Sequence, residues 1–281
     1  MNSTARPVFV VGSGRNGTRS VFRMLRGNAR IEAHHEYRCE NIQKISCLYS
    51  MGLLDKDEAL PQVREHYHSA LNYCEKNIWL DSSNKASWII PLLKEVFPAS
   101  TFIHIARDPR RVVSSYYYKL REEMYDDKSV MALGNWIDKG KPQEDAPPIE
   151  KKYWWKLELD ESRRVSSSEY QRSRFERCCL HWTSVTKEIA RAFTEIPESS
   201  HLTIRLEDLV SNDNTMYLLL DFLGLEYSRF YSEFLQKPRN VFLSLEFNCT
   251  NLQLRTLERY CNQEAKRLGY QLSDPLPALT Y

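Results

Sequence analysis

Glycine and arginine residues are concentrated in a short segment that follows an apolar run near the amino terminus. The apolar run is Val8–Val11, and the segment, here named the glycine loop, is Gly12-Ser13-Gly14-Arg15-Asn16-Gly17-Thr18-Arg19-Ser20. Glycines let backbone N–H groups close around an oxyanion, and the start of a following helix adds the positive end of its dipole. The arginine side chains add cationic donors. The glycine loop is therefore suited to bind a multiply charged phosphate group.

Two well-known phosphate-binding patterns match the glycine loop only in part. Gly12, Gly14 and Gly17 satisfy the spacing of a dinucleotide-binding loop, but Thr-Arg-Ser follows where small apolar residues normally pack the helix on the strand. A Walker A loop requires a lysine before the hydroxyl residue, and here Thr18 directly follows Gly17. A glycine turn without a ligand is a further alternative. The glycine loop alone leaves these interpretations open.

A second segment pairs an arginine with a serine at a regular distance. Thr101–Ala106 is an apolar run typical of a buried strand, Arg107 follows it, and Ser115 lies eight positions later on a predicted helix. An arginine at a strand end and a hydroxyl about two helical turns further on can both reach one phosphate. The alternative is a solvated arginine cluster on a surface helix, because charge runs usually face water.

At both segments the sequence resembles the family of sulfotransferases that use 3′-phosphoadenosine 5′-phosphosulfate (PAPS). The resemblance implies that Arg107 and Ser115 bind the 3′-phosphate of PAPS. It implies that residues 15–20 bind the 5′-phosphosulfate. A weaker match near the carboxyl terminus suggests Arg239 as one more basic contact. The implied cofactor-binding residues are Gly14, Arg15, Asn16, Gly17, Thr18, Arg19, Ser20, Arg107, Ser115 and Arg239. The implied product is adenosine 3′,5′-bisphosphate, and the resemblance implies no metal.

The resemblance continues into the second half of the chain. Leu206-Glu207-Asp208-Leu209, Phe222-Leu223-Gly224-Leu225 and Leu268-Gly269-Tyr270 are similar to the later parts of the family. Asn16 and Arg19 depart from the commoner serine and threonine, and Arg15 stands where cytosolic members carry lysine. Arginine at that position is common in the tyrosylprotein and bacterial branches, so the sequence resembles those branches most.

The catalytic residues implied by that branch are Arg15, Glu36 and His35. Arg15 is expected to stabilise the leaving group, since transfer of this kind relies on positioning and on charge stabilisation. Glu36 lies twenty-one positions after Arg15, an offset similar to that of the catalytic glutamate in the branch. His35 is the alternative general base, and Glu36 could instead be an ion partner of Arg38. A metal site formed by His34, His35 and Glu36 is not expected, since adjacent residues seldom converge on one ion.

The order of predicted elements indicates one α/β domain over residues 1–281. Predicted strands at 8–11, 78–80, 101–106 and 202–204 alternate with predicted helices at 17–26, 88–96, 109–118, 171–193, 216–223 and 252–268. Alternation of this kind predicts a P-loop-like domain, with a central parallel sheet flanked by helices on both faces. Residues 139–168 interrupt it and predict a lid or insertion. The aromatic run Tyr153-Trp154-Trp155 within it either lines the acceptor site or pins the segment to the core.

Composition narrows the possible partners and location. A net charge of +2 gives no global field for nucleic acid. The expected acceptor is a small molecule or a glycan, but the sequence leaves a sugar hydroxyl, a small alcohol or phenol, an amine and a peptide tyrosine open, because the acceptor walls lie in the predicted lid. No apolar run approaches the roughly 20 residues of a membrane helix. The seven cysteines are scattered, which favours a reducing compartment, so the prediction is a soluble, cytoplasmic protein.

Two rival functions remain at this stage. A nucleotide kinase of the same architecture would need a Walker lysine and an acidic magnesium ligand, for which Asp81 is the candidate. A binding module for adenosine bisphosphate would keep both loops without a general base.

Overall fold

A computed structural model describes residues 5–120, 124–236 and 249–276 of the chain. The strands are β1 (Arg6–Val11), β2 (Ile31–His35), β3 (Ile78–Ser82), β4 (Thr101–Ala106) and β5 (His201–Arg205). The helices up to the middle of the chain are α1 (Thr18–Leu25), α2 (Cys39–Ser50), α3 (Lys56–Asn72), α4 (Ile90–Val96), α5 (Pro109–Ser114) and α6 (Asp127–Asp138). The later helices are α7 (Ser167–Gln171), α8 (Arg174–Thr194), α9 (Leu206–Ser211), α10 (Asp213–Leu223), α11 (Arg229–Gln236) and α12 (Asn251–Arg267).

The five strands form one sheet in the order β2-β3-β1-β4-β5, and every neighbouring pair is parallel. The central strands read as continuous apolar runs because helices cover both of their faces. One face buries Phe9, Trp79 and Phe102 under α2, α3, α4 and α8, whereas Val8 and Leu80 lie on the other face under α1 and α10. This confirms the predicted fold class.

The helix that carries Ser115 changes its pitch at that residue. α5 begins after Asp108, whose side chain accepts a hydrogen bond from the backbone N–H of Arg110, and ends at Ser114. The chain then continues as a π-helical turn, Ser115–Lys119. Such turns are rare and often occur at functional sites. The turn places Ser115 and Tyr116 on the side of the glycine loop, as the contacts below show.

The predicted lid is anchored to the core by its tryptophans. Trp154 is 1% exposed, its ring Nε1 donates to the Pro148 carbonyl at 2.7 Å, and its ring packs edge-on against Trp136. Trp155 is buried beside it, and Gln43 donates its side-chain amide to the Lys151 carbonyl at 2.7 Å. The segment therefore contributes to the hydrophobic core, which is one of the two roles that its aromatic run allowed.

Replacing Trp154 with alanine should destabilise the fold strongly. A buried indole that also satisfies a hydrogen bond leaves a large cavity when truncated, and about 3–5 kcal/mol of the free energy of unfolding should be lost. Urea unfolding of W154A and of the neighbouring Y153A, whose side chain is only partly buried, measures this directly. Equal stability of W154A and the wild-type protein would contradict the packing described here.

Candidate active site

The two sequence segments meet at the carboxyl edge of the sheet. The glycine loop follows β1, Arg107 follows β4, and these two strands are neighbours with Val11 opposite His104. Carboxyl ends of parallel strands form the usual ligand-binding edge of an open α/β sheet. α1 starts inside the glycine loop at Thr18, directly after Gly17, which has a φ of 92°. The helix N-terminus therefore faces the same edge.

Two side chains hold the Ser13 carbonyl of the glycine loop. Tyr116 Oη donates to it at 2.6 Å and His181 Nε2 at 3.0 Å. A carbonyl only accepts hydrogen bonds, so Nε2 must carry the proton, and burial lowers the pKa of His181 to about 4, which keeps the ring neutral. A Cβ on Gly14 would lie 2.0 Å from Tyr116 Oη. Glycine is thus required for Tyr116 to reach the loop.

Arg15 links Arg107 to Ser115 through two hydrogen bonds. Arg107 Nη1 donates to the Arg15 carbonyl at 2.7 Å, and Arg15 Nε donates to Ser115 Oγ at 2.9 Å. The Nε of Arg107 is buried and has no hydrogen-bond partner among the described residues. Arg110 is different, because its guanidinium pairs with Asp108 at 2.7 Å. The cations of Arg15 and Arg107 therefore hydrogen-bond only to neutral oxygens at these contacts.

Burial is the main cause that lowers the pKa of both guanidiniums. Arg15 and Arg111 add to the lowering for Arg107, while Glu207 opposes it. For Arg15, Arg19 adds to the lowering, while Tyr116 and Glu36 oppose it. Arginine nevertheless remains charged in proteins. The site thus collects positive charge that a bound anion would stabilise.

The other residues of the glycine loop have different positions. Asn16 is buried, and its side-chain amide donates to the Ile105 carbonyl, so it ties the loop to β4. The Thr18 carbonyl accepts a hydrogen bond from Ser82 Oγ at 2.8 Å. Arg19 is exposed and Ser20 is half-buried, both on the first turn of α1. Arg239 lies outside the described residues.

Glu36 lies directly after β2 in a turn with left-handed backbone, φ 56°. Its Oε1 accepts from Lys85 Nζ at 2.8 Å, and its Oε2 lies 3.6 Å from Lys151 Nζ. Burial alone would raise the pKa of Glu36, but Lys85 and Lys151 outweigh burial and lower it to about 2. The side chain is still 23% exposed. Glu36 is therefore an ionised carboxylate that solvent or a ligand can reach.

His35 is fixed by the neighbouring strand. Its Nδ1 lies 2.8 Å from the Ser82 carbonyl, so Nδ1 carries the proton and Nε2 is the acceptor nitrogen. Its ring stacks on Phe22 with 5.6 Å between the centroids. Burial lowers the pKa of His35 below its ordinary value, so the ring is neutral near pH 7.

Lys85 is a site residue that sequence reasoning missed. Its side chain is 5% exposed, and its Nζ donates to Glu36 Oε1 and to Asn84 Oδ1, each at 2.8 Å. Lys85 follows β3 at the same sheet edge as both loops, and that position is the signal that could have identified it. Tyr116 and His181 were missed as well, since their contacts with Ser13 depend on tertiary packing.

Two cavities lie at opposite ends of the sheet. Beside Lys85, a cleft lined by Gln43, Trp88 and Lys156 has a volume of about 10 Å³, enough for one water molecule. A larger cavity of about 340 Å³ is lined by Arg64, His68 and Phe97. The larger cavity includes none of the residues around the glycine loop. Charge and hydrogen-bond donors, not volume, therefore locate the candidate site.

Comparisons with known proteins agree with this geometry. A family model described as the sulfotransferase family matches residues 7–140, a range that includes the glycine loop, Glu36, Lys85, Arg107 and Ser115. A search of curated proteins finds no significant match. In the described part of the chain, no helix is long and apolar enough to cross a membrane.

Solved structures of bacterial sulfotransferases share the fold at low sequence identity. The sulfotransferase domain of the Synechococcus PCC 7002 olefin synthase is 14% identical, with a TM-score of 0.52 and coverage of 96% of this chain and 97% of that chain. A sulfotransferase from Alicyclobacillus acidocaldarius is 15% identical, with a TM-score of 0.52 and coverage of 99% and 100%. This chain is therefore similar to the sulfotransferase family over residues 7–140, and it shares its fold with these bacterial sulfotransferases.

Proposed function

We propose that this enzyme transfers the sulfuryl group of PAPS to a hydroxyl or amine of a small-molecule or glycan acceptor. The family implies PAPS as the donor. The observation that carries the proposal is the contact of Arg15, Arg107 and Ser115, with the buried Nε of Arg107 unpartnered among the described residues. An unsatisfied buried cationic donor is costly unless an anion binds it.

The residues present fit the two charged ends of PAPS. Arg107 and Ser115 would hold the 3′-phosphate, and the Ser115 hydroxyl, which accepts from Arg15, keeps its own proton to donate. The N–H groups of the glycine loop and the N-terminus of α1 would hold the 5′-phosphosulfate. Asn16 would act indirectly, because its amide is already used to join the loop to β4.

The chemistry needs one new bond, one broken bond and one proton acceptor. The acceptor oxygen or nitrogen forms a bond to sulfur as the bond from sulfur to the bridging oxygen of PAPS breaks, which releases adenosine 3′,5′-bisphosphate. Arg15 would stabilise the charge that develops on the leaving phosphate. Glu36 would take the proton of the acceptor, as a kinase aspartate takes the proton of a substrate hydroxyl.

A carboxylate with a pKa of about 2 can serve as this base for two reasons. In a loose transition state the attacking hydroxyl loses its proton late, when bond formation has already made it acidic. Lys151 is 52% exposed and lies 3.6 Å from Glu36, so an acceptor could displace it and raise the proton affinity of the carboxylate. Lys85, which is buried, would stay and orient Glu36.

Asp81, the candidate magnesium ligand of a nucleotide kinase, is not placed to bind a metal ion. Asp81 is fully buried, and its carboxylate accepts hydrogen bonds from the Tyr37 N–H and the Tyr67 hydroxyl. A metal ligand needs an oxygen directed at the nucleotide edge with room for water. In the described residues no group of three potential ligand side chains could hold a metal ion. No observation therefore favours phosphoryl transfer.

Replacing Arg107 with alanine should remove the preference for a 3′-phosphate. Loss of one charged partner of a phosphate costs about 1.5–3 kcal/mol, so R107A should bind adenosine 3′,5′-bisphosphate roughly 10- to 100-fold more weakly. Binding of AMP, which lacks the 3′-phosphate, should change little. Titration calorimetry with both nucleotides measures the two affinities.

R64A is the matched control for this experiment, since Arg64 is an exposed arginine beside the remote cavity. It should bind both nucleotides as the wild-type protein does. A wild-type protein that binds AMP and the bisphosphate equally well would refute the donor assignment.

Replacing Glu36 with glutamine should slow turnover strongly while preserving donor binding. Glutamine keeps the size and polarity of the side chain but does not accept the proton, so kcat should fall about 10²–10⁴-fold. The acceptor for the assay comes from a screen of hydroxyl and amine pools with labelled PAPS. Calorimetry with adenosine 3′,5′-bisphosphate checks that the nucleotide still binds.

H35N separates the two candidate bases. The amide of asparagine can still donate to the Ser82 carbonyl as Nδ1 of His35 does, but the acceptor nitrogen Nε2 is gone. H35N should lose less than about 10-fold in kcat, below the range expected for a lost general base. An active E36Q together with an inactive H35N would reverse the assigned roles.

A further inference from the structure

Asp81 is a buried acid next to the candidate base. It lies on β3, opposite His34 of β2, and is 0% exposed. Its Oδ1 accepts from the backbone N–H of Tyr37 at 3.1 Å, and its Oδ2 accepts from Tyr67 Oη at 3.3 Å. Both donors are neutral. Buried carboxylates are normally paired with a cation, so burying Asp81 with only neutral partners lowers the stability of the fold.

The Tyr37 N–H belongs to the turn that carries Glu36. In this turn, residues 36–38, both Glu36 and Arg38 have left-handed backbones, with φ of 56° and 46°. Such conformations are unfavourable for residues other than glycine and persist only where neighbouring groups enforce them. The N–H of Glu36 donates to the Ser82 carbonyl at 3.1 Å. Two consecutive amides of the turn, at residues 36 and 37, thus donate to two consecutive residues of β3. The acceptor for the second amide is the side chain of Asp81.

We propose that Asp81 is a positioning residue for the sulfuryl-transfer reaction, whose carboxylate holds the turn of residues 36–38 so that Glu36 faces Lys85 and the acceptor. This inference rests on the proposed role of Glu36. A core that needed only packing would be better served by asparagine or an apolar residue. A buried polar group that lowers stability and lies beside an active site is expected to serve the function of that site.

The surroundings of Asp81 make its charge sensitive to pH. Burial is the largest cause and raises the pKa of Asp81 to about 7, while the hydrogen bonds from Tyr37 and Tyr67 oppose it. Glu36 raises the pKa further, and Lys85 lowers it. The other titratable groups at this contact are Cys39, which interacts with Tyr67, and His34, which packs on Tyr37. The bond from Tyr37 is therefore charge-assisted mainly above pH 7.

The expected effects of this ionisation on stability and on activity have opposite signs. Because the pKa is raised from 3.8 to about 7, the native protein keeps a proton in this window that the unfolded chain releases. Rising pH therefore removes stability between these values. Activity should rise with pH through about 7, because the ionised carboxylate holds the turn more firmly.

The test compares D81N with the wild-type enzyme at saturating PAPS. Asparagine keeps the size of the side chain and an oxygen for the Tyr37 N–H, but it carries no charge. We expect kcat at pH 8 to fall about 10-fold, as for a slightly misplaced catalytic group. The rise of kcat near pH 7 should disappear. The melting temperature at pH 8 should be equal to or above that of the wild-type protein, and binding of adenosine 3′,5′-bisphosphate should be unchanged.

Y67F is the matched control, because it removes the hydroxyl donor to Asp81 and leaves the Tyr37 N–H in place. Its kcat at high pH should be near that of the wild-type enzyme, with the midpoint of the pH profile moved to higher pH. Hydrogen exchange of the Tyr37 amide gives a readout that needs no acceptor, and exchange should be faster in D81N.

Each other outcome overturns a defined part of the account. A D81N enzyme with the kcat and pH profile of the wild type, while E36Q is inactive, would refute the role of Asp81 alone. A D81N enzyme with a lowered melting temperature at pH 8 and proportionate loss of nucleotide binding would show a purely structural role. An active E36Q would remove the proposed function of Glu36 and the inference with it.

Discussion

Two arginines that the fold forces together define this structure. β1 and β4 are neighbours, so the loops that follow them meet, and Arg107 donates to the backbone of Arg15 while Arg15 donates to Ser115. Lost solvation disfavours both guanidiniums most, and the positive charge of Arg15 adds to the cost for Arg107. A bound anion would offset this cost. The buried tether from Asn16 to Ile105 and the two donors to the Ser13 carbonyl make sense as supports for that arrangement.

Much of the fold was predictable because short apolar runs in the sequence identify its central strands. The predicted strand at 101–106 agrees with β4, and the predicted helix at 216–223 ends before Gly224, whose φ of 70° suits a helix end. β2 was missed, since it is an edge strand with one fully buried residue, Ile31, and a mostly polar, half-buried remainder. Its parallel pairing with β3 comes from tertiary contacts that no local pattern encodes.

The candidate site also has a part that the sequence predicts and a part that it does not. Arg107 and Ser115 are fixed by one strand end and one helix, so their spacing could be read from the sequence. The partners of Glu36 could not, because Lys85 follows β3 and Lys151 lies in the predicted insertion, each far along the chain. The packing of Trp154 against Trp136 shows that the aromatic run contributes to the core, while Trp154 and Trp155 also line the cleft beside Lys85.

We propose that the glycine loop and the segment from Arg107 to Ser115 bind one nucleotide at its opposite charged ends. A crystal structure of the protein with adenosine 3′,5′-bisphosphate would test this proposal. We expect the 3′-phosphate in contact with Arg107 and Ser115, with the 5′-phosphate at the glycine loop and the N-terminus of α1. A nucleotide bound in the reverse orientation, or outside the carboxyl edge of β1 and β4, would contradict it.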